Sequence, residues 1–376
     1  MHILFQIKRF LSIYGKEFFL FIKDKFKKKK FKNTSKKPEI PNLHKEVEIK
    51  LDKEFYDFYT LQPNDERPFY KNSILFSIIK QHKNQILNNL VSILSNYDFK
   101  IKIGLEIEFY ITNNSKNLNI LRELKKILKN IENIETEKGQ NQFEIKTKPY
   151  IDIVELVCEY QTILKEVNNF CISNNLNLNF DALPFDNDCG SALQINLSLV
   201  DFNKKNLFSR TKIENTLVDS DLMLNCVAGL LNNLNKNLLL YINDEKCLKR
   251  FDLEQNIKIK NLNKYPAPTF VSWGINNRTA SIRIPTSSIT NLEKYIEEDN
   301  KNRRIEFRIP SANADLTLTL IGVLSSLING VENDLKPNVE KSAFDITINN
   351  ENLERIENDI NILNDIFEIN IDILYI

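Results

Sequence analysis

Residues 303–310, Arg-Arg-Ile-Glu-Phe-Arg-Ile-Pro, alternate charged and apolar side chains. Read as a β-strand, they put Arg304, Glu306 and Arg308 on one face and Ile305, Phe307 and Ile309 on the other. A carboxylate between two guanidiniums suits the joint holding of phosphate and metal. Arginine gives phosphate oxygens a planar, multidentate donor, and a carboxylate gives a dication a hard oxygen. Just upstream, Trp273–Pro285 (W-G-I-N-N-R-T-A-S-I-R-I-P) adds Arg278 and Arg283. Six of the eleven arginines lie between Arg250 and Arg308, in a chain that otherwise uses lysine for positive charge. That concentration points to sites needing the arginine fork rather than charge alone.

Two further strands carry the same kind of face. Gly104–Tyr110 places Glu106 and Glu108 on one side and Leu105, Ile107 and Phe109 behind them. Two carboxylates at that spacing repel unless a cation or basic group sits between them. A lone E-x-E is equally what a solvated edge strand looks like, so the pair gains weight only beside the others. Leu193–Leu199 turns Gln194, Asn196 and Ser198 one way and its leucines and isoleucine the other, which a half-exposed strand also does. Glu137 and Glu144 flank Gly139 near a turn that could curl toward the same surface. Together these residues describe a charged sheet face. Its hard oxygens favour Mg²⁺ or Mn²⁺, and its arginines favour phosphoryl groups.

Composition narrows the alternatives. The formal charge is +1, which gives no general argument for nucleic-acid binding. His2, His44 and His82 all precede these motifs, so neither a histidine metal site nor a Ser-His-Asp triad can be built within them. Five cysteines without C-x-x-C spacing read as a reducing, cytoplasmic setting and argue against structural zinc. No G-x-x-x-x-G-K-[ST] loop is present, so a nucleotide would bind by another scheme.

The elements that must position this face alternate between strands and helices. Helical spacing marks Ser73–Asn96, Leu118–Ile134, Ile151–Asn175, Thr211–Leu239 (one helix or a pair) and Asp315–Glu332, with a helical tail closing the chain. Cys158 and Cys171, on the third of these, are expected in or near the core. Strands are expected at Phe99–Ile111, after the turn that begins at Glu137, and at Leu176–Phe180 and Ala192–Val200. The pattern implies an α+β fold. Residues 1–70 differ: a basic amphipathic helix over 1–37 precedes an irregular arm, leaving 71–376 as the main domain. That helix fits peripheral contact with an anionic membrane surface or docking on its own domain. No apolar run reaches spanning length.

From about Phe99 to Gly330 the order of motifs resembles the glutamine synthetase catalytic domain. Trp273–Pro285 is similar to W-x-x-R-N-R-S-A-x-x-R-I-P, and Arg304–Arg308 followed by Pro310-Ser311-Ala312-Asn313 matches the family's arginine strand. Gly104–Phe109 matches the first strand, Glu137, Gln142 and Glu144 its E…GQxE element, and Gly190 to Leu199 its GSGMHxHxSL strand. The resemblance implies a curved, mainly antiparallel sheet flanked by helices. It also implies ATP-dependent activation of a glutamate-like carboxylate, followed by attack of ammonia or another amine. It would assign one metal ion to Glu108, Glu137 and Glu144, and a second to Glu106, Gln194 and Glu306. Arg278, Arg283, Arg304 and Asn196 would serve ATP, with Arg278 and Arg308 in the chemistry. Arg250, Arg308 and Gly190 would hold the acid.

The departures fall mostly on one half of that site. Gln194 and Asn196 replace histidines, Cys189 replaces an asparagine, and Pro266-Ala267-Pro268 stands where the family has a glutamate that receives the ammonium proton. Residues 1–98 do not read as the family's β-grasp domain but as a helical region, which weakens the case for ring assembly while leaving a homo-oligomer open. Three readings follow: a ligase using an amine other than ammonia, an inactive regulatory or structural relative, and inefficient glutamine synthesis.

Overall fold

The computed structural model describes residues 69–113, 119–213, 216–243, 245–286, 297, 299–339, 341–342 and 353–356. The expected basic helix over 1–37, the arm up to residue 68 and the tail beyond 356 lie outside the described residues.

Helix α1 (Phe69–Asn96) leads into the long strand β1 (Lys100–Thr112), followed by α2 (Ile120–Ile127), β2 (Ile131–Thr136), β3 (Gln142–Thr147) and α3 (Ile153–Asn174). Strands β4 (Asn177–Asn179) and β5 (Leu193–Val200) come next, then the small antiparallel pair β6 (Thr211–Ile213) and β7 (Thr216–Val218). Helix α4 (Asp221–Asn233), the single turn α5 (Leu238–Tyr241), a 3₁₀ segment (Glu245–Phe251) and α6 (Leu253–Asn261) precede β8 (Trp273–Ile275), β9 (Ile282–Ile284), β10 (Ile305–Phe307) and α7 (Leu316–Glu332). One sheet runs β2-β3-β1-β5-β10-β9-β8, with β4 added on β1. Its pairings are antiparallel except β8 with β9. The α+β expectation and the mainly antiparallel sheet flanked by helices are both met.

Alternation along the strands divides the sheet into two chemically different faces. Leu105, Ile107, Phe109, Ile195, Leu197, Ile282, Ile305 and Phe307 are buried and form part of one continuous apolar core. Helix α7 is buried almost all round and packs against α4 and α1, so its sequence lacks a polar stripe. Asp315 caps it, accepting from Leu318 N at 3.1 Å, and Lys83 of α1 pairs with the same carboxylate. Behind β10, Phe307 meets Tyr241 edge-on with ring centroids 4.9 Å apart, which fixes the strand from its apolar side. Arg303, just before β10, is buried with its guanidinium between Asp219 and Asp299 (3.1 Å to the latter). Arg210 also binds Asp219, at 2.9 Å.

Three expectations need correction. The helix expected over Leu118–Ile134 ends at Ile127, because the β-branched stretch Ile131–Thr136 pairs with β3, Ile134 opposite Ile145. The helix expected from Thr211 begins at Asp221. Thr211–Ile213 and Thr216–Val218 pair antiparallel as β6 and β7, and Ser220 caps α4 by accepting from Met223 N. Cys158 is exposed on α3, whereas Cys171 is buried as expected.

Helices α4 and α7 touch through glycines. A Cβ on Gly229 would lie 2.0 Å from Ser326 O, and one on Gly330 would lie 2.1 Å from Asn225 O. Alanine adds about 1 kcal/mol of helix propensity at such positions. Overpacking against a backbone carbonyl costs about 1–3 kcal/mol or more and wins. Gly229→Ala and Gly330→Ala are therefore expected to lower the urea midpoint, by the equivalent of up to about 2 kcal/mol, with an unchanged m-value; a gain in stability at either position would contradict this packing.

Candidate active site

Strand register, more than sequence proximity, assembles the polar face. Glu108 of β1 stands opposite Glu144 of β3, and Glu144 stands opposite Glu135 of β2. One step along, Lys146, Glu106 and Gln194 form a second row across β3, β1 and β5. Asn196, Glu306 and Arg283 form a third, across β5, β10 and β9. Each side chain faces the same way because each occupies an alternate position on its strand. The expected clustering of Glu106, Glu108, Glu137, Glu144, Gln194 and Glu306 is thus physically realised: all six line one cavity of about 280 Å³. Arg250, Arg278, Arg283, Arg304, Arg308 and Gly190 line it too. Asn196 borders an adjoining recess of about 600 Å³ that shares Glu106, Lys146, Arg283 and Arg304 with the first.

The acidic end of the cavity holds Glu135, Glu137 and Glu144, whose carboxylate oxygens lie within 4.8 Å of one another. Three convergent hard oxygens fit a divalent cation such as Mg²⁺ or Mn²⁺. Glu108 lies beside this trio with its oxygens engaged differently: one accepts from Ala192 N at 2.9 Å and the other from Gln194 Nε2 at 2.5 Å. Burial, then the Glu137 charge, pushes Glu108 up to about 7. Glu144 is pushed up by burial and by Glu106 and Glu108. Among the described residues, the basic side chain paired with this trio is Lys146, 2.8 Å from Glu144 Oε2 and also bound to Glu135, and the Arg308 and Arg250 charges reach Glu108. Glu135 and Lys146 were missing from the sequence expectations. The period-2 rule that found Glu106 and Glu108 would have found both, since each lies two residues from an expected ligand.

The arginine end is electrostatically closed. Glu306 accepts from Arg308 Nη1 at 2.7 Å on one oxygen and from Arg283 Nη1 at 2.8 Å on the other. Burial alone would raise its pKa, but Arg308 and Arg283 outweigh that and hold it below the ordinary carboxylate range. Arg308 Nη1 also donates to Gln194 Oε1 at 2.9 Å. Asn196 links the rows, accepting from Arg304 Nε at 2.7 Å and donating to Glu106 at 3.0 Å. The Nε groups of Arg250, Arg283 and Arg308 are buried without a hydrogen-bond partner. Arg250 spends its other donors on the carbonyls of Arg308, Ile309 and Pro310, so it braces the end of the β10 segment. Gly190 fits against Arg250, because a Cβ there would lie 2.8 Å from Arg250 Cγ. Arg278 is exposed at the mouth, 5.0 Å from the Tyr265 ring centroid.

The rim is tied down from several sides. Tyr110 Oη donates to Cys189 O at 2.8 Å, Gln142 Nε2 to Gly190 O at 3.0 Å, and Lys264 Nζ to Asp188 at 2.7 Å. Burial raises the Cys189 thiol to about 11, so it is no nucleophile at neutral pH. Pro266, Ala267 and Pro268 form an uncharged wall, fixed where Ala267 N donates to Asn256 at 2.6 Å.

The raised carboxylates give a pH signature. A Glu whose folded pKa exceeds its unfolded value of 4.5 stabilises the fold when protonated. That contribution is present at low pH and is lost as pH rises through the folded pKa, at up to about 1.4 kcal/mol per pH unit and group. In EDTA, the melting temperature is therefore expected to fall between pH 5 and 8. Saturating Mn²⁺ should restore it at pH 8, by about 2.7 kcal/mol equivalent at a hundred times Kd. Glu144→Gln should flatten the EDTA profile; a wild-type profile already flat by scanning fluorimetry would show these carboxylates to be compensated.

Comparison with known proteins bears on the family and the fold. A family model described as "Glutamine synthetase, catalytic domain" matches residues 117–363. Gamma-glutamylputrescine synthetase PuuA of Escherichia coli (strain K12) is 24% identical over 199 residues, covering 53% of this chain and 37% of that protein. Type-1 glutamine synthetase 1 of Dictyostelium discoideum is 27% identical over 226 residues, covering 59% and 41%. The chain thus spans well under half the length of these curated relatives. Among solved structures, "GmaS/ADP complex-Conformation 1" shares the fold with a TM-score of 0.58 at 16% identity, over 76% of this chain and 66% of that one. A Plasmodium falciparum glutamine synthetase determined by cryoEM gives 0.52 at 19% identity, over 68% and 56%. With the family model covering more than half of its residues, the chain belongs to the glutamine synthetase family, as a divergent member carrying the catalytic domain.

Proposed function

We propose that this chain is an ATP-dependent carbon–nitrogen ligase that joins a glutamate-like acid to an amine other than ammonia. The observation that carries the reading is one cavity in which convergent carboxylates face three arginines, Arg250, Arg283 and Arg308, with buried, unpartnered Nε–H groups. Unmet buried donors are costly, and a ligand bringing its own anionic oxygens would satisfy them.

Glu135, Glu137 and Glu144, with Glu108 beside them, would hold a divalent cation (Mg²⁺ or Mn²⁺). When bound, that ion offsets the negative charge of phosphate and carboxylate groups as they meet. Arg308 and Arg283, fixed by Glu306, present guanidinium edges to the anions. Arg304 and Asn196 border the adjoining recess that would take the nucleotide. Arg278 lies at the mouth, with no ion pair among the described residues holding it against the sheet, in position to meet a phosphoryl group. In the first step a carboxylate oxygen attacks the γ-phosphorus and ADP leaves. In the second the amine nitrogen attacks the acyl carbon, phosphate leaves and the nitrogen loses a proton.

Acceptor choice rests on the Pro266-Ala267-Pro268 wall. It offers no carboxylate to hold an ammonium ion, and its apolar surface favours a substituted amine. A relative named for making a γ-glutamyl amide agrees with that class. Self-association of the chain belongs to the same proposal.

An inactive relative is the second reading. It is favoured by Lys146 and Arg308, which already pair with carboxylates expected to serve metal.

Mg²⁺-dependent ATP consumption with glutamate and a panel of amines separates the two. The expected result is turnover with one or more alkylamines exceeding that with ammonia, and a loss of about 100-fold or more in Glu306→Ala. Turnover with ammonia alone would remove the substituted-amine reading. No turnover with any amine, and no nucleotide binding by calorimetry, would favour the inactive relative.

A further inference from the structure

We infer that this face takes one divalent cation rather than the two its family resemblance implies, with the Arg308 guanidinium standing in the second position. The second ion would need oxygens from Glu106, Gln194 and Glu306. Arg308 Nη1 already bridges two of these residues, at 2.7 Å from Glu306 Oε1 and 2.9 Å from Gln194 Oε1. The other Glu306 oxygen is taken by Arg283 at 2.8 Å.

The Gln194 amide is committed at both ends. Its nitrogen donates to Glu108 at 2.5 Å, which orients its oxygen toward Arg308. A histidine nitrogen here could ligate a metal through a lone pair. A neutral amide oxygen already accepting from a guanidinium is a much weaker competitor. Glu106, the third oxygen source, accepts from Asn196, which itself binds Arg304. Two carboxylates at this end thus face three arginines, so an entering dication would meet net positive charge.

The acidic end has the opposite balance. Among the described residues, Lys146 is the basic side chain in ion pairs with the group Glu108, Glu135, Glu137 and Glu144, while the Arg308 and Arg250 charges reach Glu108 alone of the four. Three of them converge within 4.8 Å. One dication brings this end close to neutrality, and the geometry gives it a place. The assignment does not depend on turnover, because it concerns cation binding by the resting protein.

The test is Mn²⁺ titration of the full chain without nucleotide, with free ion read by electron paramagnetic resonance and bound metal by elemental analysis after dialysis. One equivalent per chain is expected, at least ten-fold weaker in Glu144→Gln and changed less than three-fold in Glu306→Gln. The double variant Gln194→His, Arg308→Met should take up a second equivalent. Two equivalents in the wild type, or none, would overturn the inference. So would a single equivalent that depends on Glu306 and not on Glu144, or a double variant, folded by circular dichroism, that stays at one. The wild-type stoichiometry needs no variant to fold.

Discussion

Glu108 and Glu144 stand directly opposite one another on adjacent strands, both nearly inaccessible to water, with Glu135 next in the same row. Like charges in that relation repel, and burial magnifies the repulsion because little water screens it. The rest of the polar face can be read as a response. Lys146 enters the row, Gln194 donates to Glu108, and Ala192 turns its amide toward the same carboxylate. A hydrophobic sheet of this topology would need none of these devices. The density of buried acid on one surface therefore sets this face apart from an ordinary solvated one.

The hydrogen bonds run across the sheet as one chain. Glu108 is linked to Gln194, Gln194 to Arg308, and Arg308 to Glu306, whose second oxygen reaches Arg283. The acidic end and the arginine end are thereby linked by contacts of 2.5–2.9 Å. The two ends are chemically distinct but mechanically joined. The neutral Pro266-Ala267-Pro268 wall sits outside this chain of hydrogen bonds.

Much of this was legible in the sequence, for a physical reason. The period-2 alternation of Gly104–Tyr110, Leu193–Leu199 and Arg304–Arg308 survives in the structure because each strand has one face against the core. The α+β class and the apolar helix at 316–332 followed from similarly strong patterns. Other features were set by distant partners. Ile131–Thr136 reads as the end of a helix until β3 supplies a strand to pair with, and Thr211–Ile213 pairs with Thr216–Val218 where local spacing favours a helix. The partnership of Arg308 with Gln194 was invisible for the same reason, since 114 residues separate them in the chain. Arg250 shows the opposite limit. The family resemblance implied a grip on the acid substrate; its Nη donors also meet the backbone carbonyls of Arg308, Ile309 and Pro310, contacts that no side-chain pattern announces.

Arg303 carries one more consequence. It precedes the strand bearing Glu306 and is buried between Asp219 and Asp299. An unpaired guanidinium in that position would be among the most destabilising groups in the molecule. One of the Arg303 counter-charges, Asp219, comes from the segment just before α4, 84 residues away. A fragment beginning after Asp219 would contain most of the chain's arginines and would keep Asp299, yet it would lack one of the two counter-charges of Arg303. Modularity in this chain is consequently limited: its arginine cluster is local in sequence, but one of the charges that support it is not.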